Sequence, residues 1–252
     1  MFSDTKKFWT LLPFSIAFPA GRRSGRRRTG DALYTFRFNE VFRYADLLAW
    51  GALRSLGLTG LTAVLGLVIG TGCAVLLLYG PKRAKPFVTG YVEFFRNTPF
   101  LVQLFFIFFG LSSVGFRMSA WTAAIFALSI NFGAYTTEVM RAGIAAIPRS
   151  QIESASSLGL GPWDTFANVI DFQAVRNVYP SISSYIVLLF LGSSVVSQIS
   201  AQDLFYVASF IESRTFRNFE TYGVVSLIYL AIVVIFRAAS SLVWATVFAR
   251  RG

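Results

Sequence analysis

Apolar residues in this chain form long blocks separated by short polar connectors. A helix that crosses the ~30 Å hydrocarbon core of a bilayer needs ~20 mostly apolar residues. Five blocks approach or exceed that length: 57–79, 87–111, 118–140, 178–199, and 221–236, which resumes after Arg237. The pattern predicts an all-α integral membrane protein, a bundle of five transmembrane helices. The fourth block is the least regular, because it is rich in serine and contains Pro180.

The first 48 residues have a different composition. Residues 8–20 are apolar, but the stretch is short and is broken by Pro13 and Pro19, which is atypical of a cleaved signal peptide. The run GRRSGRRRTG follows and carries five arginines between positions 22 and 28. We therefore expect residues 1–48 to be a basic, interfacial extension and residues 49–252 to form one transmembrane domain.

The composition supports a membrane protein and disfavours an enzyme. The chain is 55% hydrophobic and 14% charged, and a soluble domain carries about 25% charged residues. It has no histidine, the commonest general base and metal ligand, and its one cysteine, Cys73, precludes an internal disulfide. It also lacks a G-x-x-x-x-G-K-[ST] loop, so we expect no ATP hydrolysis, metal or cofactor in this chain. The net charge of +11 indicates contact with lipid headgroups rather than nucleic acid.

The placement of lysine and arginine predicts an orientation, because cytoplasmic loops carry an excess of both. The richer segments are the connectors after blocks 1 and 3 and the C-terminus: Lys82, Arg83 and Lys85; Arg141, Arg149 and Arg176; Arg250 and Arg251. This puts the 141–177 connector and the C-terminus in the cytoplasm. With five spans the basic N-terminus lies outside, so either it is translocated or residues 8–20 re-enter the membrane.

A polar stripe runs through the second block, YVEFFRNTPFLVQ. Glu93 and Arg96 are three residues apart and share a helical face, and charges at that depth usually face a cavity or each other. Pro99 has no N–H, so the carbonyl of Phe95 loses its partner and the helix should kink. We predict that this segment lines a polar path through the bilayer; the alternative is a self-neutralising Glu–Arg pair. The path residues are Glu93, Arg96, Asn97, Thr98, Pro99 and Gln103.

A short amphipathic helix is predicted over residues 149–158, RSQIESASSL, between spans 3 and 4. Pro148 precedes it, Ser150 and Glu153 have the spacing of a capping box, and Gly159 should end it. A helix of about three turns is too short to span a membrane. It must lie in the interface or dock on a partner.

This helix resembles the EAA loop of ATP-binding-cassette importer permeases, through Glu153-Ser154-Ala155, Gly159 and Val169. The stretches YVEFFRNTPFLVQLFF, AYTTEVMRAGI and SRTFRNFETYGVVSLIYL are similar to the polar amino-acid permease family. The chain departs from the family pattern at Asp171-Phe172, where Leu-Pro is usual. It departs again at Leu191-Gly192, where Lys-Asp often precedes the two hydroxyl residues, here Ser193 and Ser194.

The resemblance implies a permease subunit of a bacterial inner-membrane importer for polar amino acids. Its partners would be an external amino-acid-binding protein, a second permease, and an ATPase dimer that holds ATP and Mg²⁺. The missing span-4 charges favour a heterodimer. The resemblance adds Ser193 and Ser194 to the path and makes 149–158 a cytoplasmic coupling helix, with Arg149, Gln151, Glu153, Ser154, Ala155 and Gly159 at the ATPase. The alternatives are a structural half that does not bind cargo and an ATP-independent secondary transporter.

Overall fold

The computed structural model describes residues 34–165 and 171–248, and all regular secondary structure in these ranges is helical. The chain divides into two compact units, Met1–Thr35 and Phe36–Gly252. The described part of the first unit, Tyr34 and Thr35, has no regular structure. Most of the predicted basic extension lies outside the described residues, and its boundary at residue 48 stays a prediction. All helices named below belong to the second unit.

Ten helices are described in these ranges, and three of them include or continue into a segment of another helix type. In chain order they are α1 Phe38–Phe42, α2 Ala45–Tyr79, α3 Lys85–Asn97, α4 Phe100–Ser113 with a π-helical turn at Phe106–Gly110, α5 Ala120–Ala145, α6 Arg149–Ser157, α7 Pro162–Thr165, α8 Asp171–Gly192 continued by a 3₁₀ helix Ser193–Ile199, α9 Leu204–Thr215, and α10 Asn218–Val243 continued by a π-helical turn Trp244–Phe248.

Within residues 34–165 and 171–248, three helical segments are long and apolar enough to cross a membrane: Ala45–Tyr79, Gln173–Ile199 and Asn218–Phe248. The pair α3 and α4 counts as a fourth if its two halves form one span. Helix α5 has 26 residues, which is long enough to cross a membrane, but its mean hydropathy is lower than that of these three segments. The all-helical membrane fold is thus confirmed, and the number five stays a prediction.

Helix α5 lies at the centre of the bundle, where its buried polar residues face other helices rather than lipid. It packs along α2 more extensively than any other pair of described helices, and its alanines 123, 124 and 127 are fully buried. Two glycines of α2 allow this approach: a Cβ atom at Gly66 would collide with the ring of Phe132, and one at Gly70 with Thr136. The Thr136 hydroxyl donates to the carbonyl of Gly66 at 3.0 Å. The glycine spacing of the first block therefore makes a close helix contact, as small residues do in membranes.

A second apolar cluster joins α1, α2, α9 and α10 near the N-terminal end of α2. Its buried members are Val41, Leu48, Leu204, Val207, Ala208, Ile211 and Val225. Asp203 caps α9, accepting a hydrogen bond from the backbone N–H of Tyr206 at 2.8 Å, and Ser55 accepts one from Leu204 at 3.0 Å. These contacts fix α9 against the first span.

Candidate functional site

The second block bends where Pro99 predicts a kink, but the bend is so large that the block forms two separate helices. Helix α3 ends at Asn97, Thr98 and Pro99 are extended, and α4 leaves at 110° to α3. The break follows from Pro99, which fixes its own φ and disfavours helical geometry at Thr98. The backbone therefore turns inside an apolar segment, where freed carbonyl groups need new partners.

Gln103 supplies those partners. Its Nε2 atom donates to the carbonyls of Phe95 at 2.9 Å and Thr98 at 3.0 Å, and to the Thr98 hydroxyl at 2.7 Å. Its Oε1 atom accepts from Nδ2 of Asn131 on α5 at 2.9 Å. The side chain is 4% exposed. Gln103 therefore closes the break and ties it to α5.

Glu93 and Arg96 are not paired with each other. Asn97 Nδ2 donates to Glu93 Oε2 at 2.8 Å, while the Arg96 guanidinium lies over the ring of Tyr135, 5.7 Å from its centroid. Among the described residues no ion pair joins Glu93 to Arg96. Both side chains are exposed in the isolated subunit, so they are available to a partner or to cargo.

A groove between α5 and α8 contains two cavities. The first, about 280 Å³, has no charged residue in its lining, which includes Phe100, Asn131, Tyr135, Tyr185, Leu188 and Gly192. The second, about 440 Å³, lies further towards the end of α5 and is lined by Glu138, Ala142, Gly143, Asn177, Val178 and Ser181. Glu138 pairs with Arg141, three residues further along α5, at 2.8 Å.

The rings of Tyr135 and Tyr185 are in contact across this groove, with centroids 5.6 Å apart. Sequence reasoning missed both, and Asn131 as well. The signal was present in part: Asn131, Tyr135 and Glu138 repeat at i, i+4 and i+7, so they share one face of α5. Nothing local indicates that this face meets Tyr185, fifty positions further along.

Ser193 and Ser194 lie at the start of the 3₁₀ segment, next to the first cavity but not in its lining. Ser193 donates to the carbonyl of Phe190 at 2.7 Å and Ser194 to that of Leu191 at 2.8 Å. Their hydroxyl protons are thus used within their own helix. Their contribution to a path stays a prediction, as it does for the six residues around Pro99.

The predicted short helix is present as α6, and its end is the one that Gly159 predicts. Gly159 has φ +76°, its N–H bonds to the carbonyl of Ser156, and the N–H of Leu160 bonds to that of Ala155, which is a Schellman motif. The predicted cap was wrong: α6 begins after Pro148, with no side-chain capping bond, and Ser150 lies inside the helix.

Helix α6 displays most of the predicted coupling residues. Gln151, Glu153 and Ser154 are exposed, whereas Ala155 is buried. Leu158 adds an apolar side chain that is 81% exposed. The backbone of Arg149 begins the helix and Gly159 follows its end. The arrangement presents a mixed polar and apolar surface suited to docking, and the docking itself stays a prediction.

A family profile described as "Binding-protein-dependent transport system inner membrane component" matches residues 65–251. The chain belongs to this family. Membership makes it a multi-pass inner-membrane transport component, and relatives named as ABC permeases favour an ATP-driven importer over an ATP-independent transporter.

Several proteins named as transport permeases are similar to this chain over most of their length. The probable amino-acid ABC transporter permease protein PatM of Vibrio harveyi is 33% identical over 79% of this chain and 91% of the relative. The arginine ABC transporter permease protein ArtQ of Haemophilus influenzae is 32% identical over 76% and 89%. The putative glutamine transport system permease protein GlnP of Rickettsia conorii is 31% identical over 73% and 85%.

Solved structures of ABC transporters are also similar to this chain. A chain from "Crystal structure of an amino acid ABC transporter with histidines" superposes with a TM-score of 0.78 and 35% identity, covering 87% of this chain and all of that one. A chain of the MetNI methionine ABC transporter in an inward-facing conformation gives a TM-score of 0.67 at 20% identity, over 80% and 96%, which supports the fold alone.

Proposed function

We propose that this chain is a membrane-spanning subunit of an ATP-driven importer for polar amino acids, and that the groove between α5 and α8 is its share of the translocation path. One observation carries the proposal: the exposed helix α6 lies in the chain between the two helices that form the groove walls. Three residues, 146–148, separate α6 from α5, so a force on α6 acts directly on that wall of the groove. An ATPase that grips α6 has direct mechanical access to the path.

The remaining parts are supplied by other chains. An ATPase dimer binds ATP and Mg²⁺, and an external binding protein delivers the amino acid. A second permease, of different sequence, covers the exposed polar stripe Glu93, Arg96 and Asn97 and contributes the charges that Leu191-Gly192 lacks. Helix α10 also needs cover, since 6% of its most apolar stretch is buried within this chain. Lipid and the second permease provide it.

We further propose that α5 also crosses the membrane, as the third of five spans along the chain. Two of its buried hydroxyls are hydrogen-bonded within the bundle, that of Thr136 to the carbonyl of Gly66 at 3.0 Å and that of Thr137 to the carbonyl of Gly133 at 2.7 Å, whereas that of Ser129 has no partner in the described part of the chain. These bonds favour insertion of α5 beside α2. The connector 141–177 and the C-terminus then face the cytoplasm, and α6 is a cytoplasmic coupling helix.

The test is uptake by the reconstituted complex of this chain, the ATPase and the second permease, with binding protein supplied outside. ATP-dependent accumulation of a labelled acidic, basic or neutral amino acid is expected. Glu93→Gln and Arg96→Met should each lower uptake at least fivefold while the complex still assembles. Full activity in both variants would remove this stripe from the path and favour a structural role for the subunit.

A matched pair of glycine variants tests the coupling role of α6. Gly159 has a left-handed backbone that disfavours any side chain by roughly 1–2 kcal/mol, whereas Gly161 has ordinary space around it. Gly159→Ala should lose uptake and cargo-stimulated ATP hydrolysis; Gly161→Ala should keep both. Equal behaviour of the two variants would contradict a coupling role that depends on the end of α6.

A further inference from the structure

The groove between α5 and α8 changes its chemistry along its length. On α5 the residues that face it follow helical spacing, from Asn131 through Tyr135 to Glu138 and Ala142. The cavity on the Asn131 side is uncharged and largely aromatic, and the cavity on the Ala142 side contains the Glu138 carboxylate. Tyr135 lines the uncharged cavity and lies about one turn before Glu138 of the charged one.

On α8 the same order runs in the opposite direction. Tyr185 lines the uncharged cavity with Leu188 and Gly192, and Ser181, one turn before it, lines the charged cavity with Asn177. The rings of Tyr135 and Tyr185 meet, with centroids 5.6 Å apart and planes inclined by 37°. Rings this close leave no room for a solute between them. Their contact lies at the end of the uncharged cavity that is nearest, along both helices, to the charged one.

We propose that Tyr135 and Tyr185 are the gate of this half of the path, and that Arg96 is the positioning residue that holds it closed. The proposal rests on the proposed function, because it assigns the groove to cargo. Cargo leaves the uncharged cavity when the two rings part, and it then enters a compartment where a carboxylate and the amide of Asn177 replace aromatic contacts.

The side chains of Tyr135 and Tyr185 suit a gate because contacts between rings, rather than hydrogen bonds, hold them in place. Within the described ranges neither tyrosine hydroxyl has a hydrogen-bond partner in the chain, so rotation of a ring breaks no such bond. The Arg96 guanidinium sits over the Tyr135 ring at 5.7 Å, a cation–π contact that favours one ring orientation. Arg96 belongs to the last turn of α3, beside the break at Pro99. A change in the angle between α3 and α4 would move Arg96 off the ring and release it.

The experiment measures access to the uncharged cavity from the cytoplasmic side of the reconstituted complex. Leu188→Cys, in a Cys73→Ser background, is labelled with a membrane-impermeant cationic methanethiosulfonate added to that side. Adding Tyr135→Ala or Tyr185→Ala should raise the labelling rate at least tenfold. Each tyrosine variant should also let labelled amino acid leak without ATP. Tyr222→Ala, which removes a tyrosine that packs on Phe205 outside the groove, is the control and should change neither rate.

Conservative variants separate a gate from a merely structural contact. Tyr185→Phe keeps the ring and should stay closed. Arg96→Lys should restore most of the closure that Arg96→Met loses, since a lysine cation also favours a ring face. Labelling and leak that stay at the parent level in both alanine variants would overturn the gate. A complex that fails to accumulate any amino acid with ATP would instead contradict the proposed function, whatever the tyrosine variants do.

Discussion

At the scale of single residues, polar side chains in the membrane-spanning helices mostly bond to their own helix. Thr59 and Thr62 of α2 donate to carbonyls one turn back, at 2.8 Å each, and Ser193 behaves in the same way. Such bonds satisfy a hydroxyl locally, without any cavity. A serine or threonine in a span is therefore weak evidence for a path, whereas a long side chain that reaches another helix, such as Gln103, is stronger evidence for a specific structure.

Gln103→Leu should destabilise the protein, because the carbonyls of Phe95 and Thr98 would lose their shared donor in an apolar setting. The expected loss is about 1–3 kcal/mol, the cost of leaving buried polar groups unpaired. It would appear as a lower melting temperature in detergent. Gln198→Leu, at an exposed position, is the control and should melt like the parent protein. A parent-like melting temperature for Gln103→Leu would mean that water or lipid replaces the lost bonds.

Asp203 predicts a pH dependence of stability. It lies outside the candidate spans, its side chain is fully buried, and burial raises its pKa to about 6, although backbone N–H groups oppose the shift. The folded protein then binds this proton more tightly than the unfolded chain. The stabilisation is complete below the ordinary aspartate value of 3.8 and is lost as the pH rises through about 6.

The Asp203→Asn variant checks this linkage. Asparagine keeps the acceptor for the N–H of Tyr206 but cannot ionise, so the fall in stability between about pH 4 and 7, roughly 3 kcal/mol in the parent, should disappear. Melting curves across that range measure it, with Asp46→Asn, at an exposed site, as the control. If the parent and Asp203→Asn lose stability in parallel as the pH rises, another group is responsible.

At the scale of helices, local chemistry sets where each helix ends, and packing sets which helices touch. Pro99 breaks the second block, and Gly159 ends α6, both as predicted from the residues themselves. The cap at Ser150 was wrong because Pro148 already begins the helix with an extended backbone, which leaves Ser150 inside it. A capping pattern in sequence is reliable only when the first helical residue is known.

The contact between α2 and α5 gives a prediction with a control inside the same helix. Gly70→Val would push a side chain into Thr136 and should destabilise the protein by about 1–3 kcal/mol, as overpacking does. Gly72→Val adds the same atoms where nothing lies within 4 Å and should be tolerated. Melting temperatures of the two variants compare them directly. Equal losses would show that helix propensity, rather than contact with α5, determines the outcome.

At the scale of the whole molecule, the subunit leaves large apolar faces uncovered, and its basic residues are unevenly placed between connectors. Helix α2 has 35 residues, about 52 Å at 1.5 Å per residue, so it extends well beyond the ~30 Å core of the bilayer. The excess lies at its N-terminal end, where α1 and α9 pack on it. The protein therefore has a structured region beyond one face of the membrane, opposite to α6 in the proposed orientation.

Cysteine labelling in intact cells tests that orientation. In a Cys73→Ser background, Val114→Cys in the connector after α4 should react with an impermeant thiol reagent added outside. Ser157→Cys in α6 should react only after the membrane is opened. Both positions are exposed in the subunit, so a failure to label reflects sidedness. The reverse pattern would place α6 outside the cell, beyond the reach of an ATPase.

Sequence alone determined the membrane class, the apolar stretch within each long helix, the break at Pro99 and the end of α6. These features depend on backbone constraints or on apolar length, which act over a few residues and can be read in order along the chain. The tertiary structure decided that Gln103 bonds Asn131, that Arg96 stacks on Tyr135 rather than pairing with Glu93, and that Tyr135 meets Tyr185. Those contacts depend on which faces of distant helices pack together. Packing is set by the fit of many side chains at once, and no single stretch of the sequence encodes it.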